Sequence, residues 1–455
     1  MKHWTAQRVA SAAGVRLIVP PPWRGGPERV TIDSRDAGPG ALFVGLPGAR
    51  HDGGAFAQQA LAAGAWGALT TPAYAESAQS SRNGATGAVL AAADPLHALQ
   101  RLAVAWRREL DAEVIGVTGS TGKTSTKDLL LALLSPHLAT VASRANFNTE
   151  IGLPLEILAA PRGTEVLVLE MGMRGVGQIA ELAAIAQPDV AVIVSVGPVH
   201  LELLGTVEAI AAAKAELIAS LYPGGVAIVP AGERLLEPHL RPDVRTVTFG
   251  DGGDVRLLSE DGERVVIEAE GERIELDVPF RQAHLRANLL AAVAAARAVG
   301  VTPSGPVELA LSAGRGEVVE LPGGITVIDG CYNANPMSMR AALSDLAATA
   351  RRTDAGRRVA VLGDMLELGP DARSYHVALG DLANQAEVDV LVTVGPLAAA
   401  IAERFEGETR SLADADEAAR LVPGLVRAGD LVLVKGSLGV GLKAVCTALG
   451  VGVAA

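Results

Sequence analysis

The stretch from Glu113 to Leu134 constrains the fold more than any other part of the chain. It reads EVIGVTGSTGKTSTKDLLLALL, an apolar β-branched run, then a glycine-rich turn, then a helix-like apolar run. A strand that enters a helix through such a turn presents backbone N–H groups to an anion at the helix N-terminus. The stretch therefore predicts a phosphate site within a fold that alternates strands and helices.

The turn is two residues shorter than the usual phosphate-binding pattern. That pattern places a glycine five residues before Gly122, where this chain has Val117. The shortened form still lets the backbone curl around an anion. Lys123 can reach terminal phosphates, and the Thr124 hydroxyl can ligate Mg²⁺. We expect ATP to bind here, through Gly119, Ser120, Thr121, Gly122, Lys123, Thr124 and Ser125. The alternative is an ordinary glycine-rich turn.

The rest of the chain alternates strands and helices in three blocks. RVTIDSR, GALFVGLPG and AWGALT indicate a small α/β domain. EVLVLEMG and DVAVIVSVG continue the central alternation, and residues 245–278 change to the polar and apolar alternation of an antiparallel appendage. ITVIDG, RVAVLGD, DVLVTVG and LVLVKG predict a second, doubly wound sheet. The fold class is therefore α/β, with a small N-terminal domain at 1–93, a central, mostly parallel-sheet ATPase domain at 94–315 and a Rossmann-like domain at 316–455.

Composition excludes several classes of protein. A net charge of -12 and a pI near 5.3 argue against binding nucleic acid, which requires basic surface. Two cysteines cannot build a disulfide framework, and this favours a reducing compartment. No segment approaches 18 apolar residues without charge or proline, so we expect a cytoplasmic protein without membrane insertion.

Three polar residues near strand ends or on a nearby helix are candidates for metal chemistry. Glu170 ends the run VLVLE, and His200 follows the next strand. Either could ligate a metal, although solvated and structural roles are common for such residues. A helical wheel places Lys214 on the apolar stripe of the helix from Glu208 to Leu221. Burial there would favour a neutral amine, either a nucleophile or the site of an anionic carbamate, whereas the alternative is a lysine that extends to solvent.

Together these blocks resemble the Mur ligases of peptidoglycan synthesis, which are ATP-dependent. The resemblance covers nearly the whole chain, and its blocks occur in family order: TGSTGKTST, NFNTEIGLP, LEMGMRGVGQI, VHLELLG, AKAELI, HLRANLLAA, DGCYNANPMSM, LGDMLELG and VKGS. YNANP with LGDMLELG is most similar to the branch that adds D-alanyl-D-alanine to UDP-MurNAc-tripeptide. An Asp-Asn-Pro-Arg motif, which marks the diaminopimelate-adding branch, does not occur.

The resemblance implies a role for each matching residue. Its expected cofactors and substrates are ATP, magnesium in two sites, a CO₂-derived carbamate, UDP-MurNAc-tripeptide and D-alanyl-D-alanine. The implied roles are Lys123 and Thr124 for ATP phosphates and magnesium; Glu170 and His200 for magnesium; Lys214 for the carbamate; Asn288 for adenine; Arg315 and Asp329 for the rest of the nucleotide; Tyr332, Asn333 and Asn335 for the C-terminal face of the site; Ser34 and Arg35 for uridine diphosphate; and Asn146, Asn148 and Thr149 for the precursor. A monomer is expected.

Two positions depart from the family pattern. Leu438 follows Lys435-Gly-Ser437 where an arginine is usual, and Gly54 stands where a histidine is common. Both bear on substrate contacts more than on phosphate chemistry. Two alternative functions remain: a related amide ligase that adds another amino acid or acts on folate, and a nucleotide-binding regulatory protein without the reaction.

Overall fold

The computed structural model describes residues 1–80, 86–144, 146–312, 314–353 and 356–452. Three β-sheets divide these residues into three α/β domains, and the expected fold class is confirmed. The domain boundaries after residues 93 and 315 stay predictions. The predicted loop between Glu76 and Ala88 lies partly outside the described residues.

The first sheet has the order β1-β5-β4-β3-β2, in which β1 is antiparallel to β5 and the other pairs are parallel. Sequence patterns indicated the three strands β2 to β4. The elements are α1 (Ala6–Ala13), β1 (Arg16–Val19), β2 (Arg29–Thr31), β3 (Ala41–Val44), α2 (Ala57–Ala62), β4 (Gly67–Thr70), α3 (Pro72–Ser80) and β5 (Ala88–Ala91).

The central sheet has the order β15-β14-β13-β12-β11-β10-β9-β6-β8-β7. Its strands are β6 (Glu113–Thr118), β7 (Thr140–Ala142), β8 (Val166–Glu170), β9 (Val190–Ile193), β10 (Val226–Pro230), β11 (Arg245–Phe249), β12 (Val255–Asp261), β13 (Arg264–Ala269), β14 (Glu272–Asp277) and β15 (Gly305–Pro306). The helices are α4 (Pro95–Leu110), α5 (Lys123–Leu134), α6 (Gly152–Ala159), α7 (Gln178–Ala186), α8 (Leu201–Leu204), α9 (Val207–Ala219) and α10 (Ala283–Ala298).

The expected antiparallel appendage is partly wrong. Strand β11 pairs with β10 in parallel and belongs to the main sheet. Antiparallel pairing begins only between β12 and β13, and β12 itself joins β11 through a single parallel pair. The alternating pattern predicted half-buried strands correctly, but alternation does not specify which neighbour a strand pairs with.

The third sheet has the order β16-β17-β21-β18-β19-β20, and β16 is its antiparallel edge strand. This doubly wound arrangement confirms the expected C-terminal fold. The elements are β16 (Glu317–Leu321), β17 (Ile325–Gly330), α11 (Pro336–Thr353), β18 (Arg358–Gly363), α12 (Ala372–Gln385), β19 (Val390–Val394), β20 (Glu408–Leu412), α13 (Ala415–Leu425), β21 (Leu431–Lys435) and α14 (Lys443–Leu449).

The first two domains share one apolar core. Trp4 and Leu42 of the first domain belong to the same buried cluster as Trp106, Leu167 and Ile210. The buried side chains of the third domain form separate clusters on the two faces of its own sheet. Within the described residues, no helix is both long and apolar enough to cross a membrane.

Candidate nucleotide and metal site

The phosphate turn lies between β6, which ends at Thr118, and α5, which begins at Lys123. Gly122 has φ +81°, a backbone conformation that strongly favours glycine. A Cβ at this position would lie 2.5 Å from Oδ1 of Asn288. Asn288 on α10 therefore packs directly against the turn, and a side chain at residue 122 would strain both the backbone and this contact.

Hydrogen bonds in both directions join the phosphate turn to the loop after β9. The Thr121 N–H donates to Oγ of Ser195 at 2.8 Å, and that hydroxyl donates to the Thr121 carbonyl at 3.0 Å. Ser120 Oγ donates to the Gly197 carbonyl at 3.0 Å and accepts the Gly197 N–H at 2.9 Å. Reciprocal bonds of this kind hold the turn in one conformation. Ser195 and Gly197 were not predicted from the sequence, although both lie in the strand-end segment SVGP.

Lys123 is held over the turn. Its Nζ donates to the Gly119 carbonyl at 2.8 Å. Burial lowers the pKa of Lys123, Glu170 opposes this shift, and the nearby Arg315 guanidinium lowers the pKa further. Protonation of the Lys123 amine is therefore unfavourable until an anion approaches, as expected of a group that binds phosphates.

Glu170 joins the turn to the loop before α6. Its carboxylate accepts hydrogen bonds from Thr124 Oγ1 and from Asn148 Nδ2, each at 2.8 Å. Its own N–H donates to Ser143 Oγ at 3.0 Å, and the residue is 2% exposed. The structure therefore brings together three predicted site residues whose hydroxyl, carboxylate and amide oxygens suit Mg²⁺.

Lys214 is buried on α9 at 2% exposure, so the alternative in which it extends to solvent is wrong. Burial lowers the pKa of Lys214 well below its ordinary value, and Lys123 lowers it further. Within the described part of the chain, its ammonium has no hydrogen-bond or ion-pair partner. An unpaired buried amine of lowered pKa fits conversion to a carbamate, which would replace the missing counter-charge with an anionic ligand.

His200 begins α8 with φ +53° and contacts the third domain. Its Nδ1 contacts Oε2 of Glu367. Burial lowers the pKa of His200, Glu367 partly offsets this, and the charges of Lys123 and Lys214 lower it further. The ring is therefore within electrostatic range of both lysines, on the same side of the sheet as the phosphate turn.

Arg315 ends the predicted central domain, and Asp329 lies near the start of the third domain. The Arg315 guanidinium stacks 3.8 Å from the centroid of the Tyr332 ring. The buried Asp329 carboxylate accepts from Lys443 Nζ at 2.8 Å and from the Cys331 N–H at 3.0 Å. Burial alone raises the pKa of Asp329, but these two donors outweigh it and leave the pKa below its usual value. Asp329 is thus already engaged within its own domain.

The asparagines after β17 shape their loop. Asn335 Oδ1 accepts the Ser338 N–H at 2.9 Å, and Ser338 Oγ accepts the Asn335 N–H at 3.1 Å. Asn333 Oδ1 accepts the next N–H, while its carbonyl accepts from Lys435 Nζ at 2.8 Å. Burial, with help from Arg315, lowers the pKa of Lys435 to about 8. No role was predicted for Lys435 from the sequence.

The predicted precursor contacts are more exposed. In the described residues Arg35 bonds only to Asp33, through Nε to Oδ1 at 2.9 Å among other contacts. Asn146 and Thr149 are exposed, and Thr149 Oγ1 accepts the Gly152 N–H at 3.3 Å. Ser34 is partly exposed beside Arg35. Of this group, the contacts of the structure bring only Asn148 to the phosphate turn.

The two departures from the family pattern have different structural settings. A Cβ at Gly54 would collide with the Tyr74 ring and lie 2.5 Å from Thr70 Oγ1, so this chain has no room for a histidine there. Leu438 is 63% exposed in the turn Leu438–Val440. An arginine would fit at residue 438, and nothing in the structure explains the leucine.

Three family descriptions match the chain in sequence order: the Mur ligase family catalytic domain over residues 28–107, the Mur ligase middle domain over 117–296, and the Mur ligase glutamate ligase domain over 314–438. The UDP-N-acetylmuramoyl-tripeptide--D-alanyl-D-alanine ligase of Bacillus subtilis is 36% identical, over 91% of this chain and 91% of that protein. The chain belongs to the Mur ligase family. The Mur ligase of the same name from Mycobacterium bovis is also 36% identical, over 99% of this chain and 98% of its own length.

Solved Mur ligase structures agree across all three domains. MurF from Acinetobacter baumannii has a TM-score of 0.85 and 30% identity, with 98% of each chain covered. MurF from Thermotoga maritima, solved in complex with ADP, has a TM-score of 0.79 and 30% identity over 92% of this chain and 96% of that one. The resemblance seen in the sequence is confirmed. The roles of individual residues stay predictions.

Proposed function

We propose that this Mur ligase joins D-alanyl-D-alanine to UDP-MurNAc-tripeptide at the expense of ATP, forming UDP-MurNAc-pentapeptide for peptidoglycan synthesis. The observation that carries the proposal is the buried, unpaired Lys214 within electrostatic range of Lys123 and His200. A protein that only bound nucleotide would have no use for an uncompensated buried amine beside its phosphate turn. The names of the full-length relatives support this substrate pair.

ATP is the proposed energy source. The turn from Gly119 to Ser125, with Lys123 above it, is built for phosphates, and the related Thermotoga maritima enzyme was solved with ADP. We assign adenine to the neighbourhood of Asn288, which contacts the turn. Arg315, at the domain boundary, then faces the nucleotide together with three residues of the third domain: Asp329, Tyr332 and Asn333.

The chemistry follows from the weak electrophilicity of a carboxylate. Transfer of the ATP γ-phosphoryl group to the tripeptide carboxylate gives an acyl phosphate and ADP. The amine of D-alanyl-D-alanine attacks the acyl carbon, loses a proton, and phosphate leaves as the amide forms. Positioning and electrostatic stabilisation supply most of the acceleration in phosphoryl transfer.

The chain's own groups divide this work. Lys123 and the N–H groups of the turn hold the phosphates. Thr124, Glu170 and His200 would hold Mg²⁺, and a carbamate on Lys214 would complete a second magnesium site. When bound, magnesium would offset the charge of the transferring phosphoryl group. The third domain, which contacts His200 through Glu367, would help to exclude water from the acyl phosphate.

The precursor and dipeptide would be held by residues of all three domains. We assign the uridine diphosphate portion to Ser34 and Arg35 in domain 1–93, and the peptide portion to Asn146, Asn148 and Thr149 in domain 94–315. The dipeptide would meet Asn335 and the loop after β17 in domain 316–455. We also propose that the protein is a monomer and that it acts in the cytoplasm, which suits its soluble substrates.

The decisive experiment measures phosphate release from ATP and Mg²⁺ with UDP-MurNAc-tripeptide, with and without D-alanyl-D-alanine, while mass spectrometry follows the UDP product. Release that requires both partners, with a product heavier by one dipeptide less water, is expected. If only a different amine supports turnover, the ligase mechanism stands and that amine is the substrate. Nucleotide binding without turnover for any amine would favour the regulatory alternative.

A further inference from the structure

The contact between His200 and Glu367 joins a predicted metal ligand to a different domain. His200 lies in the central domain, whereas Glu367 lies in the segment between β18 and α12 of the third domain. Nδ1 of the histidine meets Oε2 of the glutamate. An ionised carboxylate only accepts hydrogen bonds, so in a neutral ring this contact keeps the proton on Nδ1 and the lone pair on Nε2.

The surroundings hold Glu367 in place. Its backbone has φ +63°, a left-handed conformation that is unfavourable for a residue with a side chain. The Glu367 carbonyl accepts the Glu202 N–H at 3.3 Å, and Nε of Arg174 lies 3.7 Å from its Oε1. Backbone strain of this kind persists only where neighbouring contacts impose it. The contacts of Glu367 with Glu202 and Arg174 come from the central domain.

We propose that Glu367 is a positioning residue, which fixes the tautomer and orientation of His200 so that Nε2 faces the metal. The inference rests on the metal role proposed for His200. Metal-binding histidines commonly donate their second ring N–H to a carboxylate, and loss of that partner costs about 10- to 100-fold in metal affinity. In this chain the carboxylate comes from the third domain, so docking of that domain completes the metal site.

The first test examines the protein without metal. With ¹⁵N-labelled histidine, the ring signals of His200, assigned by their loss in His200→Gln, report its tautomer at a pH where the ring is neutral. The wild type should show mainly the Nδ1–H form. Glu367→Ala should shift the ring towards Nε2–H, and Glu367→Gln, which retains an acceptor oxygen, should preserve the wild-type tautomer. An unchanged tautomer in Glu367→Ala overturns the inference.

The second test measures binding of Mn²⁺, as a probe for Mg²⁺, in the presence of ADP by electron paramagnetic resonance. Glu367→Ala should weaken binding about 10- to 100-fold, and Glu367→Gln should recover most of it. Glu202→Gln removes an exposed carboxylate from the same interface and should leave binding unchanged. Thermal unfolding of each variant separates a folding defect from a local one.

The outcomes separate this inference from the proposed function. If His200→Gln weakens Mn²⁺ binding and Glu367→Ala does not, the metal role of His200 stands and the positioning role of Glu367 falls. If His200→Gln itself binds Mn²⁺ normally, the proposed metal set fails and the inference fails with it. Equal loss in Glu367→Ala and Glu367→Gln, accompanied by lowered unfolding temperatures, would make Glu367 a structural residue only.

Discussion

At the scale of single residues, Lys214 shows a site built at the expense of stability. Its ammonium is buried on α9 without a partner in the described residues, and burial lowers its pKa. An uncompensated charge in an apolar interior is unfavourable by several kcal/mol or is neutralised. Removing the nitrogen should therefore stabilise the domain while it destroys the metal site.

Lys214→Met should raise the unfolding temperature of the central domain, by about 2–4 °C for each kcal/mol gained, and abolish ligation while ATP still binds. Calorimetry in CO₂-free buffer and the phosphate-release assay measure the two effects. Lys127→Met is the matched control: Lys127 is buried too, but it donates to the Ser143 carbonyl and pairs with Asp128, so its loss should destabilise. Normal turnover in Lys214→Met would eliminate the carbamate role.

The stability difference between Lys214→Met and the wild type should depend on pH. Because the folded pKa of Lys214 lies below its ordinary value of 10.5, the folded state binds fewer protons than the unfolded chain between those two pKa values. The free energy of unfolding of the wild type therefore rises as pH increases between the two pKa values. Below the folded pKa, the full cost of burying the charged ammonium remains. The stability advantage of Lys214→Met should narrow towards pH 10. A constant difference would mean that the pKa of Lys214 is not lowered in the folded state.

Gly54 is a residue whose environment excludes any side chain. Gly54→Ala should destabilise the first domain by about 1–3 kcal/mol through overpacking against Tyr74 and Thr70. Tyr74→Ala in the same chain should reduce that cost, and a double-mutant cycle measures the coupling. Gly424→Ala is the control because a Cβ there meets nothing within 4 Å. Equal effects of the two glycine substitutions would contradict the steric account.

The sequence predicted the apolar stripe of Lys214 but could not decide its burial. The side of α9 that carries Lys214 faces residues far away in sequence, including Lys123, and only the assembled domain determines whether a long side chain can reach water. Thr124 and Glu170 were easier to predict, because strand ends of a parallel sheet meet at one edge. Ser195 was missed since a serine after a strand has no distinctive pattern.

At the scale of elements, α11 depends on Asn335. The helix begins at Pro336, and Asn335 Oδ1 accepts the Ser338 N–H, which would otherwise lack a partner at the helix start. Proline at the first helical position suits this arrangement because no N–H is needed there. A residue predicted from family resemblance to face substrate is thus also the cap of a long helix.

Asn335→Ala should cost the third domain about 1 kcal/mol, the typical value of a lost cap. Asn335→Asp retains the acceptor oxygen and should keep the stability of the wild type. If Asn335 also binds substrate, the aspartate variant should raise KM for the dipeptide without a change in unfolding temperature. If the alanine variant is as stable as the wild type, water satisfies the Ser338 N–H in place of the Asn335 side chain.

The strands of each sheet were easier to predict than the neighbours with which they pair. Apolar runs such as VLVLE and VAVI are fully buried between parallel neighbours and identify strands by composition. Strand β11 has the half-buried alternation of an antiparallel strand, yet it pairs in parallel with β10. Its pairing partner depends on how the chain returns to the sheet, which local sequence does not encode.

At the scale of the whole molecule, the domains are joined unequally. The first two domains share an apolar core, whereas the third reaches the second through polar contacts, close backbone approaches and single apolar side chains such as Tyr375. His284 Nδ1 on α10 lies 2.7 Å from Asp345 Oδ2 on α11, and Gly369 lies against the backbone of Glu202. Polar interfaces between domains generally permit relative motion. The third domain is therefore expected to move, and the sequence, through the family resemblance, predicted only that its residues face the nucleotide.

Asp345→Asn should weaken this docking. The side chain of Asp345 is largely buried against His284, so loss of its charge should shift the equilibrium several-fold towards a more open arrangement. Small-angle X-ray scattering should then give a larger radius of gyration, and Mg²⁺ with ADP should restore the wild-type value if both domains bind the nucleotide. Glu403→Gln, which breaks an exposed pair with Arg373 inside the third domain, should change neither value. An unchanged radius in Asp345→Asn would mean that other contacts, such as the one between α8 and Glu367, hold the third domain in place.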